Sequence, residues 1–206
     1  MNNNVLFESR DSNDGDCLCV YAADKATGNI LWSTEELAKP YIAEYKQQYR
    51  PPNQLSRIPG MVEIIGTDSE KNNLYITINY SSLYALDGNN GNVIWGPINV
   101  SEYTFPNTKS SNLIFVLDEN GYLSALNKSN GQELWKTVIL VDGPDFYSRL
   151  LNNDNIVYAS LEDNDKSRLI AFDTSNGKEI WSTDIKSNGF AYDFTENYFY
   201  LIWERP

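Results

Sequence analysis

One short pattern occurs four times in this chain of 206 residues. Each copy has a stretch rich in Leu, Ile and Tyr, then Ala-x-Asp or Ala-x-Asn, then Gly six residues after the Ala, then Trp four residues after the Gly. The Ala, Gly and Trp of the four copies are Ala22, Gly28, Trp32; Ala85, Gly91, Trp95; Ala125, Gly131, Trp135; and Ala171, Gly177, Trp181. Successive copies are roughly 40 to 60 residues apart, a period that is typical of the blades of a β-propeller.

Each part of the pattern has a physical role in a β-hairpin. Apolar residues alternate before the turn, as in residues 83–86, which is the period of a strand with one buried face. Asp or Asn begins the turn because its short side chain can accept a backbone hydrogen bond from two residues further on. Gly closes the turn where φ must be positive. We expect each Trp to bury its ring against the neighbouring blade.

The strands predicted between the copies number about four per repeat. The first copy lacks one strand, the segment 103–105 is expected to open the third blade, and residues 190–194 and 198–203 provide two further strands. We therefore predict an all-β fold, a single domain over residues 1–206, formed by a β-propeller of four-stranded antiparallel blades. Four blades closed by pairing of the N- and C-terminal strands account for the chain, because an open end would expose the apolar segment 198–203. The alternative is an open arc or half-ring of a larger propeller.

Residues 35–60 do not follow the repeat and are predicted to be an insertion with a short helix between the first and second blades. Leu37, Tyr41, Tyr45 and Tyr49 recur at four-residue steps, which is one face of a helix. Pro40 suits the first turn of a helix. The tyrosine stripe either packs on its own domain or contacts a partner, since Tyr is enriched at interface hot spots.

The four copies resemble the repeat of the pyrroloquinoline-quinone enzymes and of their cofactor-free relatives in bacterial outer-membrane assembly. Enzymes of this family stack the quinone on a disulfide between adjacent cysteines and bind calcium beside a catalytic Asp. Here the two cysteines are Cys17 and Cys19, which are separated by Leu18. Two residues that far apart on one strand are poorly placed to bridge, so we expect free thiols. The resemblance therefore implies the branch without a cofactor.

The composition argues against catalysis. The chain has no histidine, which excludes Ser-His-Asp and Cys-His sites and any metal site built on His. Residues 11–16 are rich in Asp, but their spacing departs from a calcium-binding loop. No spacing singles out a pair of carboxylates for acid–base chemistry. We expect no enzymatic activity and no catalytic, cofactor-binding or metal-binding residues.

The charge points to a basic partner. Lys and Arg total 16 and Asp and Glu total 28, for a net charge of −12, which disfavours nucleic acid. The acids concentrate in loops between the second and third strands of the blades, although such loops are often simply solvated. The predicted partner-binding residues are Asp118, Glu119, Glu162, Asp163 and Asp165, together with Tyr41, Tyr45 and Tyr49.

These observations predict a non-enzymatic acidic β-propeller that binds a basic partner protein. Its sharpest form is an immunity or inhibitor protein that neutralises a toxin such as a nuclease. The alternative is a scaffold or assembly factor of an envelope complex. The first residues lack the features of a signal peptide and no apolar run could span a membrane, so we expect a cytoplasmic protein, or a periplasmic one if a leader precedes residue 1.

Overall fold

The computed structural model describes residues 4–10, 18–48, 61–100, 104–105, 110, 112–118, 120–139, 147–153, 155–163, 166–185, 190–194 and 199–202, in places by the backbone alone. These residues form mostly antiparallel sheets with short connections and a single helix. The chain divides into two compact units, Met1–Asn99 and Val100–Pro206. The prediction of an all-β fold of antiparallel blades is confirmed.

The first unit contains two sheets and the helix. In order, its elements are β1 (Asn4–Arg10), β2 (Leu18–Asp24), β3 (Ile30–Ser33), α1 (Glu35–Gln48), β4 (Val62–Asp68), β5 (Asn73–Ile78), β6 (Ser82–Asp87) and β7 (Val93–Asn99). The sheets are β1-β2-β3 and β4-β5-β6-β7, with all neighbours antiparallel. The three-stranded sheet is the blade that the sequence predicts to lack a strand.

The described residues of the second unit form three sheets. Its strands are β8 (Thr104–Phe105), β9 (Leu113–Leu117), β10 (Tyr122–Asn127), β11 (Glu133–Val138), β12 (Tyr147–Asn152), β13 (Ile156–Asp163), β14 (Lys166–Asp173), β15 (Glu179–Ile185), β16 (Phe190–Phe194) and β17 (Phe199–Ile202). The sheets are β11-β10-β9, β15-β14-β13-β12-β8 and β16-β17.

The position of β8 corrects one prediction. The segment 103–105 was expected to open the blade of β9, whereas Thr104 and Phe105 pair in parallel with Ser148 and Arg149 of β12. Two residues are too few to carry a period-two pattern, so nothing in the segment itself determines which sheet it joins.

The terminal strands also differ from the prediction. In the described chain β1 belongs to the sheet of β2 and β3, whereas β16 and β17 pair with each other. No sheet of the described residues combines strands from both ends, so the predicted closure by terminal pairing is not formed. The alternative of an open arc or half-ring does not require that pairing. Pairing with β16 uses one edge of β17, and among the described residues no ladder joins its other edge to β1.

Each unit has its own hydrophobic core. In the first unit all six residues of β5 are buried, and Leu74, Ile76 and Ile78 are completely inaccessible. In the second unit Phe115, Leu123 and Val157 are equally inaccessible. Each such side chain contributes about 1.5–3 kcal/mol relative to an exposed one.

Helix α1 begins one turn earlier than Pro40. Glu35 and Glu36 occupy the first turn, where negative charge favours the helix dipole. The Tyr21 hydroxyl bonds Glu35 Oε1 at 2.6 Å, which ties this turn to β2. Ala38 is completely buried, and Leu37 packs against the same core. The start is therefore set by contacts with the sheet, and Pro40 lies inside the helix.

Candidate functional site

The four turns of the repeated pattern have one geometry. In each copy the amide of the Gly donates to the carbonyl of the Asp or Asn four residues earlier, at 2.8, 2.8, 2.8 and 2.9 Å. The glycines Gly28, Gly91, Gly131 and Gly177 have φ values of 73°, 74°, 71° and 69°. Left-handed backbone of this kind costs other residues about 1–2 kcal/mol, which explains why Gly occurs at this position in every copy.

The side chain that opens each turn caps it. An Oδ1 atom of Asp24, Asp87, Asn127 and Asp173 accepts the amide hydrogen two residues further on, at 2.7 to 3.0 Å. A second set of caps was not predicted. The side-chain oxygen of the residue before each Gly accepts a hydrogen bond from the amide two residues further on. These capping residues are Thr27, Asn90, Asn130 and Asn176. The signal was available, because Asn precedes the Gly in three of the four copies.

These caps shift the acidity of two aspartates. Hydrogen bonds from the amide and hydroxyl of Thr27 lower the pKa of Asp24. The hydroxyl and amide of Ser175 lower the pKa of Asp173 in the same way. Both carboxylates are exposed, and both use their oxygens within their own turns.

A β-bulge places each Trp opposite the Ala of its own copy. The cross-strand pairs are Ala22–Trp32, Ala85–Trp95, Ala125–Trp135 and Ala171–Trp181. The register shifts beside the Ala, so the residue before each Trp has no cross-strand partner in these pairings. These bulged residues are exposed and apolar: Leu31, Ile94, Leu134 and Ile180.

The Ala of the pattern lies between two aromatic rings. In the second copy Tyr75, Ala85 and Trp95 share one row across three strands, and the ring centroids of Tyr75 and Trp95 are 6.0 Å apart. The rows Phe115–Ala125–Trp135 and Tyr158–Ala171–Trp181 repeat this arrangement, at 6.0 and 6.1 Å. Each Ala is completely buried. The small methyl group of the Ala leaves space for the two rings to contact each other over it. A larger side chain at this position would keep the rings apart.

Two of the tryptophans dock on the turn of the next blade. Trp32 of β3 donates its Nε1–H to the carbonyl of Gly88 at 3.2 Å, and a Cβ added to Gly91 would lie 2.8 Å from the indole. Trp135 of β11 donates to the carbonyl of Thr174 at 2.8 Å, and a Cβ on Gly177 would lie 2.5 Å from its ring. In both turns the acceptor follows the capping Asp directly. We call this arrangement the indole-on-glycine contact.

The predicted acidic surface is described only in part. Asp118 lies in the turn after β9, where its carboxylate accepts the amides of Asn120 and Tyr122 and pairs with Lys136 Nζ at 2.8 Å. Burial opposes ionisation, but the hydrogen bond from Lys136 and those from the two amides outweigh it and lower the pKa of Asp118. Lys136 Nζ also lies 4.4 Å from the centroid of the Tyr122 ring. The Asp118 carboxylate therefore stabilises its own hairpin.

The other predicted acids cannot be placed as a group. Glu162 and Asp163 end β13, opposite Ser167 and Lys166 of β14, and the structure describes their backbone alone. Glu119 and Asp165 lie outside the described residues, as does the whole Asp-rich loop at residues 11–16.

The tyrosine stripe contributes at least one residue to packing. The hydroxyl groups of Tyr41 and Tyr84 are 2.6 Å apart, and Tyr41 packs against the core of the first unit. Burial raises the pKa of Tyr84, and its hydrogen bond with Tyr41 raises it further. Tyr45 lies in α1 with only its backbone described, and Tyr49 lies outside the described residues.

The chemistry of the described residues is limited. They contain no group of three or more Cys, Asp or Glu that could hold a metal ion. Cys19 is disulfide-bonded, so the expectation of two free thiols is wrong. That expectation assumed that both cysteines lie on one strand, whereas β2 begins at Leu18 and Cys17 lies outside the described residues. None of the described helical segments has the length and apolarity that crossing a membrane requires.

Antiparallel blades that each have the same turn, from Asp or Asn to Gly, before a last strand with a Trp define a β-propeller of pyrroloquinoline-quinone-type repeats. The chain belongs to the family described as outer membrane protein assembly factor BamB, which matches residues 80–191. No curated protein matches the chain in sequence.

Several solved structures are similar in fold. The computationally designed protein Ika8 is 17% identical, with 98% of this chain and 52% of that chain covered and a TM-score of 0.62. The designed protein Ika4 is 18% identical, with coverage of 74% and 88% and a TM-score of 0.54. BamB from Moraxella catarrhalis is 14% identical, with coverage of 91% and 64% and a TM-score of 0.46. The chain therefore spans about half the length of Ika8 and less than two thirds of that BamB.

Proposed function

We propose that the protein is a non-enzymatic propeller that binds a basic partner protein. The net charge of −12 is the observation that carries this proposal, because a field of that sign concentrates cationic partners at the surface. The family it belongs to is described as an assembly factor, which is a protein-binding role. The absence of histidine from the sequence removes the residue on which most general acid–base sites depend.

The partner surface of this proposal lies on the loops between second and third strands. Asp118 contributes little charge there, since Lys136 neutralises its carboxylate and two amides occupy it, so the field comes from the other acids. Glu162 and Asp163 end β13 at such a loop, and Glu119 and Asp165 lie in these loops in the sequence. In its most specific form, the proposal is that the protein is an immunity protein that covers the cationic active site of a toxin such as a nuclease. In that case we expect the protein in the cytoplasm.

A second candidate is a scaffold in an envelope assembly complex. The disulfide at Cys19 favours it, because structural disulfides persist in oxidising compartments such as the periplasm and are rare in the cytoplasm. The description of the matched family as an outer membrane protein assembly factor favours it as well. Cell fractionation separates the two candidates: recovery of the protein with the periplasm supports the scaffold, and recovery with the cytosol supports the immunity protein.

Binding kinetics test the acidic surface itself. Affinity capture and mass spectrometry identify the partner, and surface-binding measurements at low and high salt then compare two charge-reversed variants. The test variant changes Glu119, Glu162, Asp163 and Asp165 to Lys and leaves Asp118 to support its hairpin. The matched control changes four exposed acids elsewhere to Lys, namely Glu36, Glu70, Glu179 and Asp184.

Electrostatic steering raises association rates by roughly ten- to a thousand-fold and fades as salt shortens the screening length. The test variant should therefore associate at least about ten-fold more slowly than the control, with a flatter salt dependence. Equal association rates for the two variants, which carry the same net charge, would show that the predicted loops are not the binding surface.

A further inference from the structure

Asn is followed directly by Gly at five places in this chain, which are residues 90–91, 120–121, 130–131, 176–177 and 188–189. This dipeptide is chemically labile. The main-chain nitrogen of the Gly can attack the side-chain carbonyl carbon of the Asn, because Gly has no Cβ to hinder the approach. The structure describes the first four of these pairs, and in each of them the Asn is exposed. Exposure of the Asn therefore does not distinguish the four pairs.

Hydrogen bonding of the Asn side chain does distinguish them. Three of the four pairs lie in turns of the repeated pattern, where the Asn Oδ1 atom accepts the amide hydrogen two residues further on. The three capped residues are Asn90, Asn130 and Asn176, with donor–acceptor distances of 2.9, 3.0 and 2.9 Å. In two of these turns an indole also covers the Gly, since Trp32 lies over Gly91 and Trp135 lies over Gly177.

Asn120 differs from the three capped residues. It lies in the turn between β9 and β10, where its main-chain amide donates to Asp118 Oδ1 at 2.9 Å. Its side chain has no hydrogen-bonding partner in the part of the chain that the structure describes. The Gly121 amide donates to the Asp118 carbonyl at 3.0 Å, much as the Gly of each repeated turn donates at 2.8 to 2.9 Å. Gly121 is no more exposed than those glycines, so the difference lies in the Asn side chain alone.

We propose that Asn120 is the preferred site of spontaneous deamidation among these four pairs, because its side chain is not capped. The Gly121 nitrogen loses its proton to solvent hydroxide and bonds to Asn120 Cγ. The Cγ–Nδ2 bond then breaks, and the nitrogen leaves as ammonia after taking a proton from water, which restores the hydroxide. Water opens the resulting cyclic imide at either carbonyl and gives an Asp or an isoaspartyl link. One amide and one water thus become one carboxyl group and one ammonia, without oxidation or reduction.

The product changes the charge of a loop between the second and third strands of a blade. The new carboxylate adds one negative charge beside Asp118, whose own carboxylate pairs with Lys136 Nζ at 2.8 Å. An isoaspartyl link would also lengthen the main chain by one carbon within the turn. That change would disturb the bonds that the amides of Asn120 and Tyr122 make to Asp118. This inference goes beyond the proposed function and does not depend on it.

Peptide mapping measures the four rates within one molecule. The full chain is kept in mildly alkaline buffer below its melting temperature, and a matched sample is kept in urea. Both are digested at mildly acidic pH, where deamidation is slow, and mass spectrometry detects the replacement of NH2 by OH at each Asn. Breaking a hydrogen bond of ordinary strength reduces the reactive fraction about five-fold, so each capped residue of the native chain should react at least about five-fold more slowly than Asn120. In urea the caps are lost, and the four rates should converge.

The first copy of the pattern offers a matched control for the cap. Thr27 precedes Gly28 there, and no atom lies within 4 Å of a Cβ added to Gly28. The Thr27→Asn chain therefore has a new Asn-Gly pair whose turn supplies a cap but no covering ring. This pair should react as slowly as the other capped pairs, whereas a rate equal to that of Asn120 would show that the cap gives no protection and would overturn the proposal.

Two further results would also overturn it. One is an Asn120 that reacts no faster than the capped residues in the native chain, or that stays intact while the unfolded chain is fully converted. The other is an equal lead for Asn120 in urea, because the sequence around it rather than the missing cap would then determine its rate.

Discussion

The contact between Trp135 and Gly177 can be tested by a double-mutant cycle. The four proteins are the parent, Gly177→Ala, Trp135→Leu and the double variant. Gly177 has φ 69°, and its added Cβ would lie 2.5 Å from Trp135 Cε3. An Ala at this position therefore meets two penalties, one from the backbone and one from the ring, and only the second depends on Trp135.

The magnitudes follow from these distances. Left-handed backbone costs an Ala about 1–2 kcal/mol. Relieving the contact moves the indole by about 1 Å, which weakens its 2.8 Å hydrogen bond to Thr174, worth about 1 kcal/mol, and adds an overpacking cost of about 1–3 kcal/mol. Gly177→Ala should thus cost about 3–6 kcal/mol with Trp135 present and only about 1–2 kcal/mol with Leu at that position.

Urea unfolding, followed by circular dichroism and extrapolated linearly to water, gives the four free energies of unfolding. The expected coupling energy is about 2–4 kcal/mol, well above the roughly 0.5 kcal/mol scatter of independent sites. A coupling energy within that scatter would refute the indole-on-glycine contact as a source of stability.

Four further predictions concern stability and chemistry. Trp95→Ala should lower the free energy of unfolding by about 3–5 kcal/mol, because the ring is buried against Tyr75, and a silent substitution would contradict that packing. The pKa of Asp173 is lower in the folded state than in the unfolded state, so the ionised carboxylate stabilises the fold above the unfolded-state pKa of about 4. This stabilisation is lost as the pH falls through the folded-state pKa. Asp173→Asn keeps the capping oxygen, as Asn127 does, so parent and variant should converge in urea midpoint at low pH, and a constant difference would exclude the linkage. Thiol titration of the denatured, non-reduced chain should find no free thiol, whereas a count of two free thiols would show that both cysteines are reduced. Pyrroloquinoline quinone with calcium should give no dehydrogenase turnover above that of heat-inactivated protein.

The turns could be predicted from the sequence because every interaction in them is local. The Asp that caps, the Gly with positive φ and the Trp that follows are all within ten residues, so their spacing alone specifies the hairpin. The aromatic partner above each Ala was not predicted. Tyr75 and Ala85 are brought together by the register between β5 and β6, and a single copy of the pattern does not encode that register.

Long-range pairing explains the remaining differences. The carboxylate of Asp118 was assigned to a partner surface, but Lys136 occupies it, and that pairing depends on the register of β10 with β11. The closure of the propeller was inferred from a count of strands, and a count does not specify whether a strand from one end of the chain pairs with a strand from the other. Disulfide formation at Cys19 was missed for a different reason, because the prediction treated both cysteines as residues of one strand, whereas β2 begins at Leu18.

The indole-on-glycine contact also bears on how such a chain can evolve. Every repeat has both the Trp and the Gly turn in its sequence, and the structure describes them in contact at two junctions, Trp32 with Gly91 and Trp135 with Gly177. A gene duplication that adds one whole repeat therefore adds a compatible junction at each of its ends, with no compensating substitution. Lineages can gain or lose blades in single steps, and selection on blade number acts through the ends of the array rather than through its interior.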